Sequence, residues 1–255
     1  MARKTAVITG ASSGIGETFA RKLATRGYDL ILVARREQRL QKIAGDLAGA
    51  TALAADVATP EGIAKLENAI SRSESLELLV NNAGFGTMGR FWTANLAGQE
   101  QMLDVHIRAT MRLTHVALRG MVVRGRGAVI NVSSVAGFGQ SAGNVSYCAS
   151  KAWINNFCEG LDLELREAGS PVTVQALCPG FTVTEFHETL GVDRDLIPGW
   201  MWMTADSVVE ASLRGLERRK VIVVPGWKYK AAVVVMRHAP AIPRLIGRFR
   251  RDKRV

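Results

Sequence analysis

The chain has 255 residues, 47% of them hydrophobic and 22% charged, with 33 Lys/Arg against 23 Asp/Glu for a formal charge of +10. That length suits one large α/β domain with an extensive core, and no Pro/Gly/Ser-rich linker, low-complexity tract or internal repeat divides it. The charge excludes more than its size suggests: twelve of the basic residues and one acid lie in 218–255, so the body has no basic excess for reading nucleic acid.

The first apolar run, Thr5 to Thr9, is too short for a secretory signal, and no run approaches the roughly 20 residues of a membrane span. A cytoplasmic protein is expected. Cys148, Cys158 and Cys178 are odd in number and lack C-x-x-C spacing, which points to reduced thiols and to no zinc or other metal site.

In chain order, Lys4 to Thr9 reads as a strand, followed by Thr9-Gly-Ala-Ser-Ser-Gly-Ile-Gly16 and a helix from Glu17 to Arg26 stopped by Gly27. Strand, glycine-rich turn and helix in that order form a phosphate-site pattern. Gly10 permits the tight turn, Gly14 lets backbone approach a pyrophosphate, and Gly16 lets helix and strand pack closely. The second strand, Tyr28 to Ala34, ends in Arg35-Arg36, where an NAD site usually carries an acid. Two guanidiniums and no carboxylate favour NADP over NAD, unless both arginines simply open the solvated helix Glu37 to Leu47.

Alternation continues with strand Ala50 to Ala55, helix Glu61 to Ser71, strand Leu76 to Asn81, helix Gly98 to Val123, strand Ala128 to Ser133, helix Ser146 to Glu167 and strand Pro171 to Leu177. Near-continuous apolar strands between helices imply a doubly wound parallel sheet covered on both faces, its ligands beyond the carboxyl strand ends. At those ends stand Asp56, Asn81-Asn82-Ala83-Gly84, Ser133-Ser134 and Pro179-Gly180. Tyr147 and Lys151, four residues apart on one helical face, read as a proton-transfer pair in which the ammonium stabilises the phenolate. An exposed tyrosine and a solvated lysine are the plainer alternative.

Thr9-Gly10 with Gly14-Ile15-Gly16, Asp56, Asn81 to Gly84, Ser134 upstream of Tyr147-x-x-x-Lys151, and Pro179-Gly180 with Thr184 together resemble the short-chain dehydrogenases/reductases, in the shorter subtype with T-G-x-x-x-G-x-G. The resemblance implies a Rossmann-like seven-stranded sheet and an NAD(P)-dependent exchange of carbonyl and secondary alcohol. It implies that Tyr147 is the general acid/base, that Ser134 steadies the developing alkoxide, and that Lys151 binds the nicotinamide ribose and lowers the tyrosine pKa. Asp56 would hold the adenine amino group, Asn82 the loop beside the adenosine ribose, and Thr184 the carboxamide or a phosphate. Ser12, Ser13, Val57, Ala83, Gly84, Pro179, Gly180 and Thr182 would complete the cofactor site. Where the family has a relay asparagine, this sequence has His106, an imidazole able to pass protons or else a core residue without a role.

Residues 185–204, with Phe186, Leu190, Leu196, Ile197 and Pro198-Gly-Trp-Met-Trp-Met203, match the family's substrate lid and suit an apolar ketone such as a steroid or fatty-acyl compound. Trp200 and Trp202 packed on the body or in a subunit contact are the other reading. A catalytic domain over 1–226 and a basic extension over 227–255 are expected, with Val221 to Gly226 as the seventh strand. In the extension Lys228, Lys230, Arg237, Arg244, Arg248, Arg250 and Arg251 interleave with apolar residues, which suits an anionic membrane surface or a solvated tail, and no nucleic-acid reading motif is present. A homodimer or homotetramer is what the resemblance implies; a catalytically idle NADP-binding scaffold is the alternative to an enzyme.

Overall fold

The computed structural model describes residues 3–186 and 197–238. Strands β1 (Thr5–Thr9), β2 (Asp29–Ala34), β3 (Ala50–Ala54), β4 (Leu76–Asn81), β5 (Ala128–Val132), β6 (Thr173–Leu177) and β9 (Ile222–Val223) form one parallel sheet in the order β3-β2-β1-β4-β5-β6-β9. Strands β1, β2, β4, β5 and β6 bury side chains on both faces. Val7, Leu79 and Val129 belong to one core cluster, whereas their neighbours Ala6, Ile8, Val80 and Ile130 belong to the other. Strand order reverses between β1 and β4, so the loops leaving these two strands diverge and open a crevice at the carboxyl edge of the sheet.

Helices α1 (Gly14–Thr25), α2 (Glu37–Gly45), α3 (Pro60–Arg72), α4 (Leu96–Leu103), α5 (Thr110–Arg124), α6 (Val145–Glu167), α7 (Ala205–Glu217) and α8 (Trp227–His238) cover the sheet. Local chemistry sets their ends. Thr59 caps α3 by accepting from Gly62 N at 3.0 Å with Pro60 in the first turn, and α5 stops at Gly125 in the left-handed conformation, φ 65°.

Two expectations need correction. The helix anticipated over Gly98–Val123 is two helices joined by a π-helical turn at Asp104–Ala109; hydrophobic periodicity does not register a local widening of that kind. The last strand is Ile222–Val223 rather than 221–226, because Pro225 has no N–H to donate and Gly226 turns the chain at φ 77°. A second, two-stranded parallel sheet pairs β7 (Thr182–Val183) with β8 (Met203–Thr204), which stand at either end of the segment 184–202. Of that segment, the predicted lid residues Leu190 and Leu196 lie outside the described residues, as do Arg244, Arg248, Arg250 and Arg251 of the tail.

Candidate active site

At the crevice the glycine turn is built to be approached. Gly10 (φ 65°) and Gly14 (φ 54°) hold conformations that side chains oppose. A Cβ on Gly10 would come 2.7 Å from Asn82 Nδ2, and one on Gly14 would come 2.9 Å from Thr184 Cγ2. Asn82 fastens the turn from the neighbouring strand end. Its amide donates to Thr9 O at 2.9 Å and Gly10 O at 3.2 Å, while Thr9 Oγ1 accepts from Asn82 N and Ala83 N at 2.9 and 3.0 Å. Ser13, at the amino end of α1, makes no side-chain cap, so the first-turn N–H groups face the cleft with the positive end of the helix dipole behind them.

The cleft has a volume of about 760 Å³ and runs from Arg35, Arg36 and Asp56 past the glycine turn to Ser134, Tyr147 and Lys151. Ser12, Ser13, Ile15, Val57, Ala83, Gly84, Pro179, Gly180, Thr182 and Thr184 also line it. Two predicted residues stand behind its wall instead. Gly16 packs against Gly10 O so closely that a Cβ would overlap it, and His106 is buried beneath Gly84. A cradle that any Cβ would fill, an uncapped helix start and arginines at one end fit a dinucleotide phosphate ligand.

At the other end the two serines divide their roles by geometry. Ser133 is buried and donates to Lys151 O at 2.9 Å, whereas Ser134 accepts from Ala136 N at 3.1 Å and keeps its own proton available. Burial pushes the Tyr147 phenol up to about 12, and only its hydrogen bond with Ser134 pulls it the other way. Lys151 donates to Val132 O at 2.9 Å and stands 5.7 Å from the Tyr147 ring centre. The lowering of the phenol expected from Lys151 does not prevail, because the same burial drives the ammonium down to about 7.

His106 projects from the π-helical turn and packs edge-on to Tyr147 at 5.8 Å. Burial first, and the Lys151 charge second, hold it well below its ordinary pKa, so the ring is neutral. Its tautomer follows from its partner. Ser150 spends its one hydroxyl proton on Tyr147 O at 2.8 Å and therefore accepts from His106 Nδ1–H at 2.9 Å. Nε2 is left as a lone-pair acceptor that meets no hydrogen-bond partner among the described residues. It points at Gly84, where an added Cβ would lie 2.8 Å from Nε2 and 3.8 Å from Lys151 Nζ.

The chain matches the short chain dehydrogenase family over residues 4–195. It belongs to that family. Among solved structures it is similar to a short-chain dehydrogenase from Sphingobium yanoikuyae in complex with NADPH, at 34% identity, TM-score 0.83, and 98% and 94% coverage of the two chains. A bulky-bulky ketone specific alcohol dehydrogenase from Comamonas testosteroni is 28% identical with TM-score 0.78, covering 98% of this chain and 92% of that one. A short-chain dehydrogenase/reductase from Burkholderia phymatum in complex with NAD is 25% identical with TM-score 0.81, covering 91% and 92%. As a short-chain dehydrogenase, the chain is an oxidoreductase that interconverts alcohol and carbonyl groups with a nicotinamide dinucleotide.

Several contributors to this dehydrogenase's cleft escaped the sequence reading. Phe85, Met88, Val135 and Phe181 give it an apolar wall, and Glu185 adds a carboxylate beside Arg36. Among the described residues of the expected lid, Glu185, Phe186 and Ile197 line the cleft. Trp200, Met201 and Met203 border a separate pocket of about 290 Å³ with Trp227, Lys228 and Tyr229, and Trp202 packs on Phe181 at 5.7 Å. The aromatic content of 198–203 did not reveal which cavity it would face, and Trp200 is largely exposed.

Proposed function

We propose that this short-chain dehydrogenase interconverts a bulky apolar ketone and its secondary alcohol with NADP(H). The observation that carries the reading is that Ser134, Tyr147 and Lys151 converge at the far end of the cleft that begins at the glycine turn. Arg35 and Arg36 would hold a 2′-phosphate, Asp56 the adenine, the start of α1 the pyrophosphate, and Lys151 with Thr184 the nicotinamide end. The bound dinucleotide supplies or takes the hydride. Tyr147, protonated at neutral pH, donates its proton to the substrate oxygen in reduction, while Ser134, which meets the phenol, turns its hydroxyl proton to the same oxygen. Lys151, poised near neutrality, is the group suited to pass a proton to or from the tyrosine, with the neutral His106 ring behind it offering Nε2 as a hydrogen-bond acceptor.

Phe85, Met88, Val135, Phe181 and Phe186 support a bulky apolar substrate, and the likeness to the bulky ketone dehydrogenase points the same way. Measuring NADPH and NADH oxidation against steroid, fatty-acyl and small aromatic ketones tests this. Faster turnover of the bulky ketones with NADPH supports it; reaction confined to small hydrophilic carbonyls removes it.

The division proposed for the chain is a catalytic domain over 1–226 and a basic extension over 227–255. Exposed Met111, Val123 and Leu163 on α5 and α6 support contact between copies of the chain. Exposed Trp227, Val234 and Val235 on α8, beside Lys228 and Lys230, support peripheral association of the extension with an anionic surface. Among the described residues no helix is long and apolar enough to cross a membrane.

A further inference from the structure

The arginines that favour a 2′-phosphate are already engaged with anions of the protein. Arg36 donates to Ser12 Oγ at 3.1 and 3.3 Å and to Glu185 Oε2 at 2.9 Å. The other oxygen of Glu185 accepts from Arg39, whose second amino group lies 3.7 Å from Glu17 Oε2. Arg35 turns the other way, 4.0 Å from Asp56 Oδ2. None of these three guanidiniums therefore meets the cleft as an uncompensated charge.

Glu185 reaches this place from 149 residues along the chain. It follows β7, in the short segment whose Thr184 methyl closes over Gly14, and it lines the same cleft. Bridging two guanidiniums, its carboxylate presents a pair of anionic oxygens, as a phosphate monoester would. Desolvation opposes the charge, but hydrogen bonds from Arg39 and Arg36 outweigh it and hold Glu185 below the usual carboxylate range.

We propose that Glu185 determines dinucleotide selectivity: it occupies Arg36 and Arg39 as an internal anion that a 2′-phosphate must displace, and which an unphosphorylated ribose leaves in place. This rests on the reading of Arg36 as a 2′-phosphate ligand. The exchange is balanced on both sides. A phosphate monoester carries about −1.5 to −2 at pH 7 against −1 for the carboxylate, but the carboxylate is tethered and needs no diffusional encounter. The preference that two adjacent arginines suggest is thus reduced by a residue on the opposite rim.

Titrating the full chain and its Glu185→Gln variant with NADPH and NADH, and with adenosine 2′,5′-bisphosphate and ADP as fragments, tests the competition without any turnover. The variant is expected to bind NADPH and the bisphosphate about three- to tenfold more tightly, as loss of two partly exposed ion pairs allows, with NADH and ADP unchanged. Unchanged or weaker NADPH binding by Glu185→Gln overturns the proposal, since the carboxylate would then be ordering the arginines for the phosphate. Arg36→Ala separates the two layers. If it weakens NADPH alone, the phosphate reading stands whatever Glu185 does; if it leaves NADPH untouched, both fall. Thermal melting of each unliganded variant establishes that it is folded.

Discussion

Tyr147 holds its proton because burial makes the phenolate costly, and Lys151 is close to losing one for the same reason. The pair therefore has one acid that is charged only at high pH and one base that titrates near neutrality. The linkage to stability has a definite sign. The unfolded chain keeps the Lys151 proton up to its ordinary pKa while the folded chain releases it near 7, so unfolding takes up a proton over that interval and stability rises with pH, by at most about 1.4 kcal/mol per pH unit. Urea midpoints at pH 7, 8 and 9 should rise for the parent and rise less for Lys151→Met; parallel profiles would put the ammonium in water. Tyr147 acts in the opposite direction at higher pH, since stability falls once the unfolded phenol ionises and the folded one does not. For His106, replacing the ring with an amide removes a group whose lone pair faces Gly84 and Lys151. The pH-rate profile of His106→Asn should be displaced relative to the parent, and superimposable profiles would take the ring out of the proton path.

At the scale of elements, α8 matters more to the site than its place after the last strand suggests. Tyr229 Oη accepts from Phe181 N at 3.0 Å and donates to Met201 O at 2.7 Å, and its ring lies flush against Gly180. One phenol thus pins the Pro179–Phe181 turn, which lines the cleft, to the segment returning through β8. Tyr229→Phe should cost about 1–3 kcal/mol, because it leaves a turn N–H unpaired, and should raise the KM for ketone more than it lowers kcat. Unaltered stability and KM would show that the turn holds itself. The regular strands and their order of alternation were legible because most are nearly continuous apolar runs, and the glycine turn, Asp56, Asn82 and Ser134 could be placed on the cleft because they stand at strand ends, with Tyr147 and Lys151 one turn apart on α6. What the sequence hid is long-range or short. Glu185 meets Arg36 from another part of the chain, β7 and β8 have two residues each, and the π-helical turn that aims His106 inward leaves no mark on periodicity.

Across the whole molecule, charge and chemistry are segregated. The glycine turn, Ser134, Tyr147 and Lys151 share the cleft at the edge of the sheet, while the basic excess lies in 218–255 and aromatic side chains gather around Lys228, 4.7 Å from the Trp200 ring centre. Vesicles containing anionic lipid should retain the full chain at low salt and release it as salt rises, whereas a chain ending at Pro225 should be retained less; equal retention would assign the exposed aromatics another purpose. In the proposed reaction Tyr147 gives the proton at the end of the dinucleotide cleft. Its most direct test is single-turnover oxidation of bound NADPH by a bulky apolar ketone, comparing the parent with Tyr147→Phe. NADPH affinity is expected to be kept and the rate to fall about 10²–10⁴-fold. A variant that binds NADPH and turns over as fast as the parent would contradict it.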